Sequence, residues 1–288
     1  MEESVMKEPF VYAFADEAGS SLDSQIAVLV RNGLSGIELR NVDGESVSAL
    51  SIAKAKEIRR RLDDHGLITW SAGSPIGKIG IRDAFAPHLD QLRHTLDVAN
   101  ELGAKHLRMF SFFMPKGEDP ALYRDEVMER LSRMAEAADG SGVLLCHENE
   151  KGIYGDVAPR CLDILASIPQ IRGIFDPANF IQSGQETLSA WKMLKTHIEY
   201  MHIKDALPDG NVVPSGCGAG HVPQIVREFI AMGGQHFTIE PHLTIFSGLK
   251  ALEREGDESG VGRVYAYENS DAAFDAACKA FQTILQEV

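Results

Sequence analysis

Short apolar runs alternate with longer stretches of helical spacing along nearly the whole chain. The apolar runs are three to six residues long and bounded by polar or glycine positions, as in buried strands. They fall at Phe10–Ala15, Gly36–Arg40, Leu67–Ala72, Lys105–Phe110, Val143–Glu148, Ile171–Phe175, Glu199–Ile203 and Phe237–Ile239. Between them, apolar residues recur every three or four positions. Ile26, Leu29 and Val30 mark a helix over Ser21–Asn32, and Ile52, Ala55, Ile58 and Leu62 mark one over Leu50–His65. Further helices are predicted over Arg82–Leu102, Ala121–Ala138, Ala158–Ser167, Thr187–Lys195, Pro223–Met232 and Ser270–Gln286. Gly33, Gly66 and Gly103 stand just past three of these, where helices commonly stop. Regular alternation of strand and helix predicts a parallel sheet. Eight such units in 288 residues predict one closed (β/α)₈ TIM barrel, read as a single domain over 1–288. One stretch breaks the pattern. Thr244–Tyr267 contains L-K-A-L-E-R, enough for one or two helical turns, then G-D-E-S-G-V-G. It suits a lid, a subunit contact in a homo-oligomer, or plain solvent exposure.

The ends of the last four strands carry the chemistry. V-L-L-C-H-E closes on Glu148, G-I-F-D on Asp176, I-E-Y-M-H on His202 and H-F-T-I-E on Glu240. A carboxylate at the end of a buried run is costly without a partner. In a barrel the C-terminal ends of strands gather at one rim, where sites are built, so these four side chains become neighbours. Alternation along a strand turns Cys146 inward with Glu148, Tyr200 and Lys204 with His202, and Thr238 and His242 with Glu240. Three carboxylates and one imidazole crowded together call for a divalent cation. The donor set suits Mn²⁺, Co²⁺, Mg²⁺ or Zn²⁺ without separating them.

Composition narrows the picture. The formal net charge is −14, whereas nucleic-acid binders usually present a basic face; no nucleic-acid partner is expected. Cys146, Cys161, Cys217 and Cys278 show no C-x-x-C spacing, which suits a reduced, cytoplasmic protein. No apolar run approaches the ~18 residues of a membrane span, and the acidic N-terminus does not read as a signal peptide.

The chain resembles the sugar-phosphate isomerase/epimerase family of xylose-isomerase-like TIM barrels. The resemblance runs from A-D-E at Ala15 to the last helix. It is carried by G-S-P-I-G-K-I from Gly73, R-M-F-S-F from Arg108, H-E-N-E-K-G-I-Y-G-D from His147, F-D-P-A-N-F from Phe175, H-I-K-D-A from His202 and E-P-H-L from Glu240. It implies one divalent metal held by Glu148, Asp176, His202 and Glu240. It also implies that Glu148 and Glu240 oppose each other across the metal as acid and base, moving protons α to a carbonyl. Two positions depart from the family pattern. Asn179 replaces a histidine three residues beyond the strand-6 aspartate of ketose epimerases, and Cys217 lies where relatives often carry an acidic G-E-G.

Lys78, Arg108, Asn179, Lys204 and His242 are the candidate substrate-binding residues. Lys204 competes with a rim salt bridge to its neighbour Asp205. His147 is expected to point outward in a structural role. Trp70, Phe110, Phe112 and Phe113 read as core, with a sugar-pocket wall as the alternative. The predicted activity is a metal-dependent sugar isomerase or epimerase acting on a small carbohydrate or polyol-ketone. A metal-dependent lyase of a keto-inositol or dehydroshikimate-like compound is the alternative. An abasic-site endonuclease would need extra histidines that strands 3, 4 and 6 do not offer at the rim.

Overall fold

The structure is a computed structural model and describes residues 9–246, 249 and 260–288. Eight parallel strands form a closed barrel: β1 (Phe10–Ala13), β2 (Gly36–Leu39), β3 (Ile68–Ala72), β4 (His106–Met109), β5 (Leu144–Glu148), β6 (Ile171–Phe175), β7 (Ile198–Ile203) and β8 (His236–Ile239). Each pairs with its sequence neighbours, and β8 returns to β1 through Phe10↔His236 to Ala13↔Ile239. Helices surround it: α1 (Leu22–Arg31), α2 (Ile52–Asp63), α3 (Phe85–Leu102), α4 (Arg124–Ala138), α5 (Ala158–Ser167), α6 (Pro177–Gln182), α7 (Thr187–Leu194), α8 (Val222–Ala231) and α9 (Ser270–Glu287). The fold is the predicted (β/α)₈ barrel.

Local chemistry sets the boundaries. Ser21 and Ser51 cap α1 and α2 by accepting from the amides of Ser24 and Lys54, satisfying donors that the first turn leaves unpaired. Helix α3 buries Phe85, Leu89, Leu92, Leu96 and Ala99, the stripe its spacing predicts. It ends at Gly103 with φ 78°, a left-handed cap that glycine adopts without strain. The predicted helix Ala121–Ala138 splits into a 3₁₀ turn, Pro120–Tyr123, and α4. Helix α6 and two short ribbons, Asn41–Val42 with Glu45–Ser46 and Asp205–Ala206 with Val212–Val213, went unpredicted. The L-K-A-L-E-R turns fall outside the described residues except Leu249, which packs with Phe246 and Val261.

Two bulges shape the interior. Glu38 pairs with Ser71 although Ile37 pairs with Thr69, so Trp70 is an extra residue in β3. Ile174 pairs with Tyr200 although Gly173 pairs with Ile198, so Glu199 is an extra residue in β7. A bulge re-aims the side chains on either side of it. Trp70 and Ser71 therefore both reach interior partners. Trp70 stacks between His106 and His236, with ring centroids 4.0 and 3.8 Å away, and Ser71 Oγ lies 3.1 Å from the Tyr200 hydroxyl. The aromatic stack, joined by Tyr12, floors the barrel at its N-terminal end. Cys146, Ile174 and Tyr200 fill the layer above it. Among the described residues no helix is long and apolar enough to cross a membrane.

Candidate active site

Above that layer, the strand ends place Glu148, Asp176, His202 and Glu240 together, all buried. One candidate ligand atom from each lies within 4.8 Å of those of the others. Each is held by its surroundings. Glu148 Oε1 accepts from Asn179 Nδ2 at 3.0 Å, and its Oε2 lies 3.3 Å from the Arg108 guanidinium. Asp176 N-caps α6, accepting from the Asn179 amide, while Asn149 exchanges two hydrogen bonds with the Asp176 backbone. These contacts tie the end of β5 to the end of β6. His202 Nδ1 stands 3.0 Å from Glu148 Oε1 and 3.6 Å from Glu240 Oε2. Glu240 is gripped from both sides, by Lys204 Nζ at 2.9 Å and by an Arg40 Nη1 at 3.2 Å.

The charges here are out of balance. Asp16, Glu17, Glu38, Glu148, Asp176 and Glu240 are six buried carboxyl groups around this site, against Arg40, Arg108, Lys204 and the imidazole of His202. The consequences show in the proton affinities. Burial raises Asp176 to about 7, against the pull of Lys204 and with Glu240 and Glu148 adding to the rise. Burial works against the ionised form of Glu148 too, yet His202 and Arg108 hold it at about 2. Glu240 is drawn well down, its burial overcome by Lys204, His242, His202 and Arg40. Burial opposes a charge on His202, but Glu148 and Glu38 raise it to about 10. Glu148 Oε2 and Asp176 Oδ2 are buried with no hydrogen bond among the described residues, although cations lie within ion-pairing distance. Surplus negative charge, two underused carboxylate oxygens and an inward imidazole nitrogen form a donor set that fits a divalent cation. A cavity of about 460 Å³ opens over the cluster, lined among others by Lys78, Arg108, Glu148, Lys204, Glu240 and His242.

Residues 26–255 match the sequence profile of the family described as xylose isomerase-like TIM barrel. The chain belongs to the xylose isomerase-like TIM-barrel family. Solved structures of the same shape share little sequence with it. The probable 3-DHS dehydratase AsbF from Bacillus anthracis superposes with a TM-score of 0.72 at 16% identity, covering 95% of this chain and 98% of that one. The IOLI protein with a bound zinc atom gives 0.73 at 14% identity, covering 96% and 98%. The 3-keto-D-glucoside 4-epimerase YcjR from E. coli gives 0.68 at 15% identity, covering 96% and 100%. No curated protein sequence matches the chain. An epimerase and a probable dehydratase thus share the fold.

Within this xylose isomerase-like barrel, the sequence-predicted residues converge, with changed partners for some. Lys204 does not pair with Asp205. It bridges Asp176 and Glu240 at 3.0 and 2.9 Å, because alternation turns it inward and Asp205 away. Asp205 instead accepts from the amides of Ala206, Gly216, Gly218 and Gly220, so it anchors the glycine-rich loop. A β-carbon at Gly218 would sit 2.3 Å from the Asp205 carboxylate, which is why this loop carries glycine. Asn179 Nδ2 donates to both Glu148 and the Asn149 carbonyl, so the residue positions a glutamate as well as lining the cavity. Lys78 bonds Glu150 at 2.8 Å over the Phe110 ring, and Arg108 also lies against Phe110 and Phe14. His242, with φ 47°, bonds Glu17 and approaches Glu240 at 3.6 Å. His147 takes the expected structural place, bonded to Ser111 and buried. Of the aromatic candidates, Phe113 lines the cavity, Trp70 lies on the floor and Phe112 is core.

Asp16, Glu17, Glu38 and Arg40 were not singled out from sequence. The signal was present: G-I-E-L-R ends in charge as the later strands do, and A-D-E follows the first strand. What hid it was the lack of a second charged strand end nearby in β3.

Proposed function

We propose that this protein is a divalent-metal-dependent isomerase or epimerase of a small carbohydrate or polyol-ketone. Glu148, Asp176, His202 and Glu240 would hold the ion, which when bound polarises a carbonyl and its neighbouring hydroxyl. The observation carrying this reading is the placement of two ionised carboxylates, Glu148 and Glu240, on strands three apart in the ring, with His202 on a strand between them. A proton α to a carbonyl can be taken by one carboxylate on one face. The other, having picked up a proton from solvent, returns it on the opposite face. Arg108 beside Glu148, and Arg40 and Lys204 beside Glu240, keep both bases ionised at neutral pH. Arg108, Lys204 and Lys78 line the cavity where substrate hydroxyls would lie. The likeness to an epimerase supports the reading at the level of fold.

A lyase is the second reading. It draws support from five cationic side chains on the cavity wall, Lys78, Arg108, Lys151, Lys204 and Arg263, which suit an acidic keto-polyol, and from the fold shared with a probable dehydratase. There one glutamate would take the α-proton and the other protonate the departing hydroxyl.

The test is a screen of ketoses, keto-inositols, keto-glycosides and dehydroshikimate-like acids with Mn²⁺-loaded protein in D₂O, followed by NMR. Deuterium at one carbon with inverted or moved carbonyl chemistry supports the isomerase, and water loss with new vinylic signals supports the lyase. Absence of exchange from every class in protein that binds Mn²⁺ would count against proton transfer at this site.

A further inference from the structure

The imidazole of His202 is bonded on both of its nitrogens, and the second partner lies outside the four-residue cluster. Nδ1 faces Glu148 and Glu240, whereas Nε2 lies 3.1 Å from Glu38 Oε2. Glu38 is fully buried at the end of β2, across the barrel from β7. Its other oxygen, Oε1, accepts from the Tyr200 hydroxyl at 2.9 Å and from Ser71 Oγ at 3.3 Å. No Lys or Arg ion pair to Glu38 occurs among the described residues. A buried carboxylate held only by an imidazole and two hydroxyls is costly unless it does something for those partners.

From this geometry, and resting on the metal reading above, we infer that Glu38 is a positioning residue: it holds Nε2–H of His202 and so presents the Nδ1 lone pair to the metal. Glu38 can only accept, so Nε2 carries its hydrogen; Nδ1 also faces a carboxylate, Glu148, and becomes the donor atom of the neutral ring when a cation takes the place of its proton. Metal-bound histidines generally hand their other N–H to such a partner, which fixes tautomer and ring angle and makes the ligand more basic. Tyr200 and Ser71 extend the chain by one step, fixing the carboxylate that fixes the ring. Both bulges contribute. The extra Trp70 brings Ser71 beside Glu38, and the extra Glu199 brings Tyr200 beside Ile174 and into the interior. The edge-on contact of Phe14 with His202, ring centroids 5.2 Å apart, closes another side of the imidazole.

Calorimetric titration with Mn²⁺ tests this, with visible spectra of the Co²⁺ form as a second readout. Glu38→Gln keeps the volume but not the charge, and its Mn²⁺ affinity should fall about 10–100-fold, with shifted Co²⁺ bands. Tyr200→Phe leaves Glu38 in place but loosens it, and should fall several-fold in the same direction. Should Glu38→Gln not fold, the Tyr200→Phe and Ser71→Ala proteins decide the question on the same readouts. Wild-type affinity and unshifted Co²⁺ bands in folded Glu38→Gln, or in both hydroxyl variants, overturn the role of Glu38 while leaving the four ligands standing. A wild-type protein that takes up no Mn²⁺ overturns both readings together.

Discussion

Glu148 and Glu240 are chemically alike but wired differently. Glu148 is set by Arg108, Asn179 and His202, Glu240 by Arg40, Lys204 and His202. If they serve as opposed acid and base, neither can replace the other. Glu148→Gln and Glu240→Gln should each keep the fold and part of the metal, yet lose turnover by ~10²–10⁴-fold. In D₂O one variant should lose α-proton exchange from a given substrate epimer that the other retains. Near-normal turnover with metal bound would reduce that glutamate to a ligand. The neighbouring His147 makes a different prediction. Burial lowers it to about 4, and no space remains around it, since a β-carbon at Gly155 would lie 2.4 Å from its ring. The folded chain keeps this ring neutral below pH 6.5, where an unfolded histidine takes up a proton. Stability is therefore fully present above about 6.5 and falls as pH drops towards 4, by up to about 3 kcal/mol from this group. Urea titrations at pH 7 and 4.5 should show a smaller acid loss in His147→Gln than in wild type; equal losses would assign the acid sensitivity elsewhere.

At the scale of elements, the strand ends were legible because burial forbids a lone carboxylate in an apolar run, so Glu148, Asp176 and Glu240 announced themselves. The partner choices were not. Lys204 was readable as a neighbour of Asp205 along the chain, but alternation sends successive side chains to opposite sides, and only the closed ring shows that inward means Asp176 and Glu240. Glu38 was harder still, because the bulge at Trp70 that sets Ser71 beside it leaves no mark in a period-two pattern. Helix α6 escaped because its six residues are too few for a helical repeat. Asp205 is an element-scale device: one carboxylate gathers three amides of the glycine-rich loop, those of Gly216, Gly218 and Gly220. Asp205→Ala should cost on the order of 2–3 kcal/mol and speed amide exchange at Gly216, Gly218 and Gly220 while sparing β5 and β6. Unchanged exchange in the loop would mean that its own turns hold it.

For the molecule as a whole, every strand has a neighbour on both sides, and the interior is layered along the barrel axis. The stack of Trp70 with His106 and His236 floors it, Tyr200, Cys146 and Ile174 fill the middle, and the charged cluster lies uppermost beneath its cavity. The packed floor has a kinetic meaning. With the lower end filled by rings, a cation held by the four strand-end side chains would share one doorway with the substrate, and a ligand in the cavity would stand between that cation and solvent. Release should then be strictly last-in, first-out: a chelator must wait for the cavity to clear. The first-order rate at which EDTA strips Mn²⁺ should fall in proportion to occupancy by any polyol-ketone that binds there, approaching zero at saturation, and a stripping rate indifferent to saturating ligand would reveal a second way out.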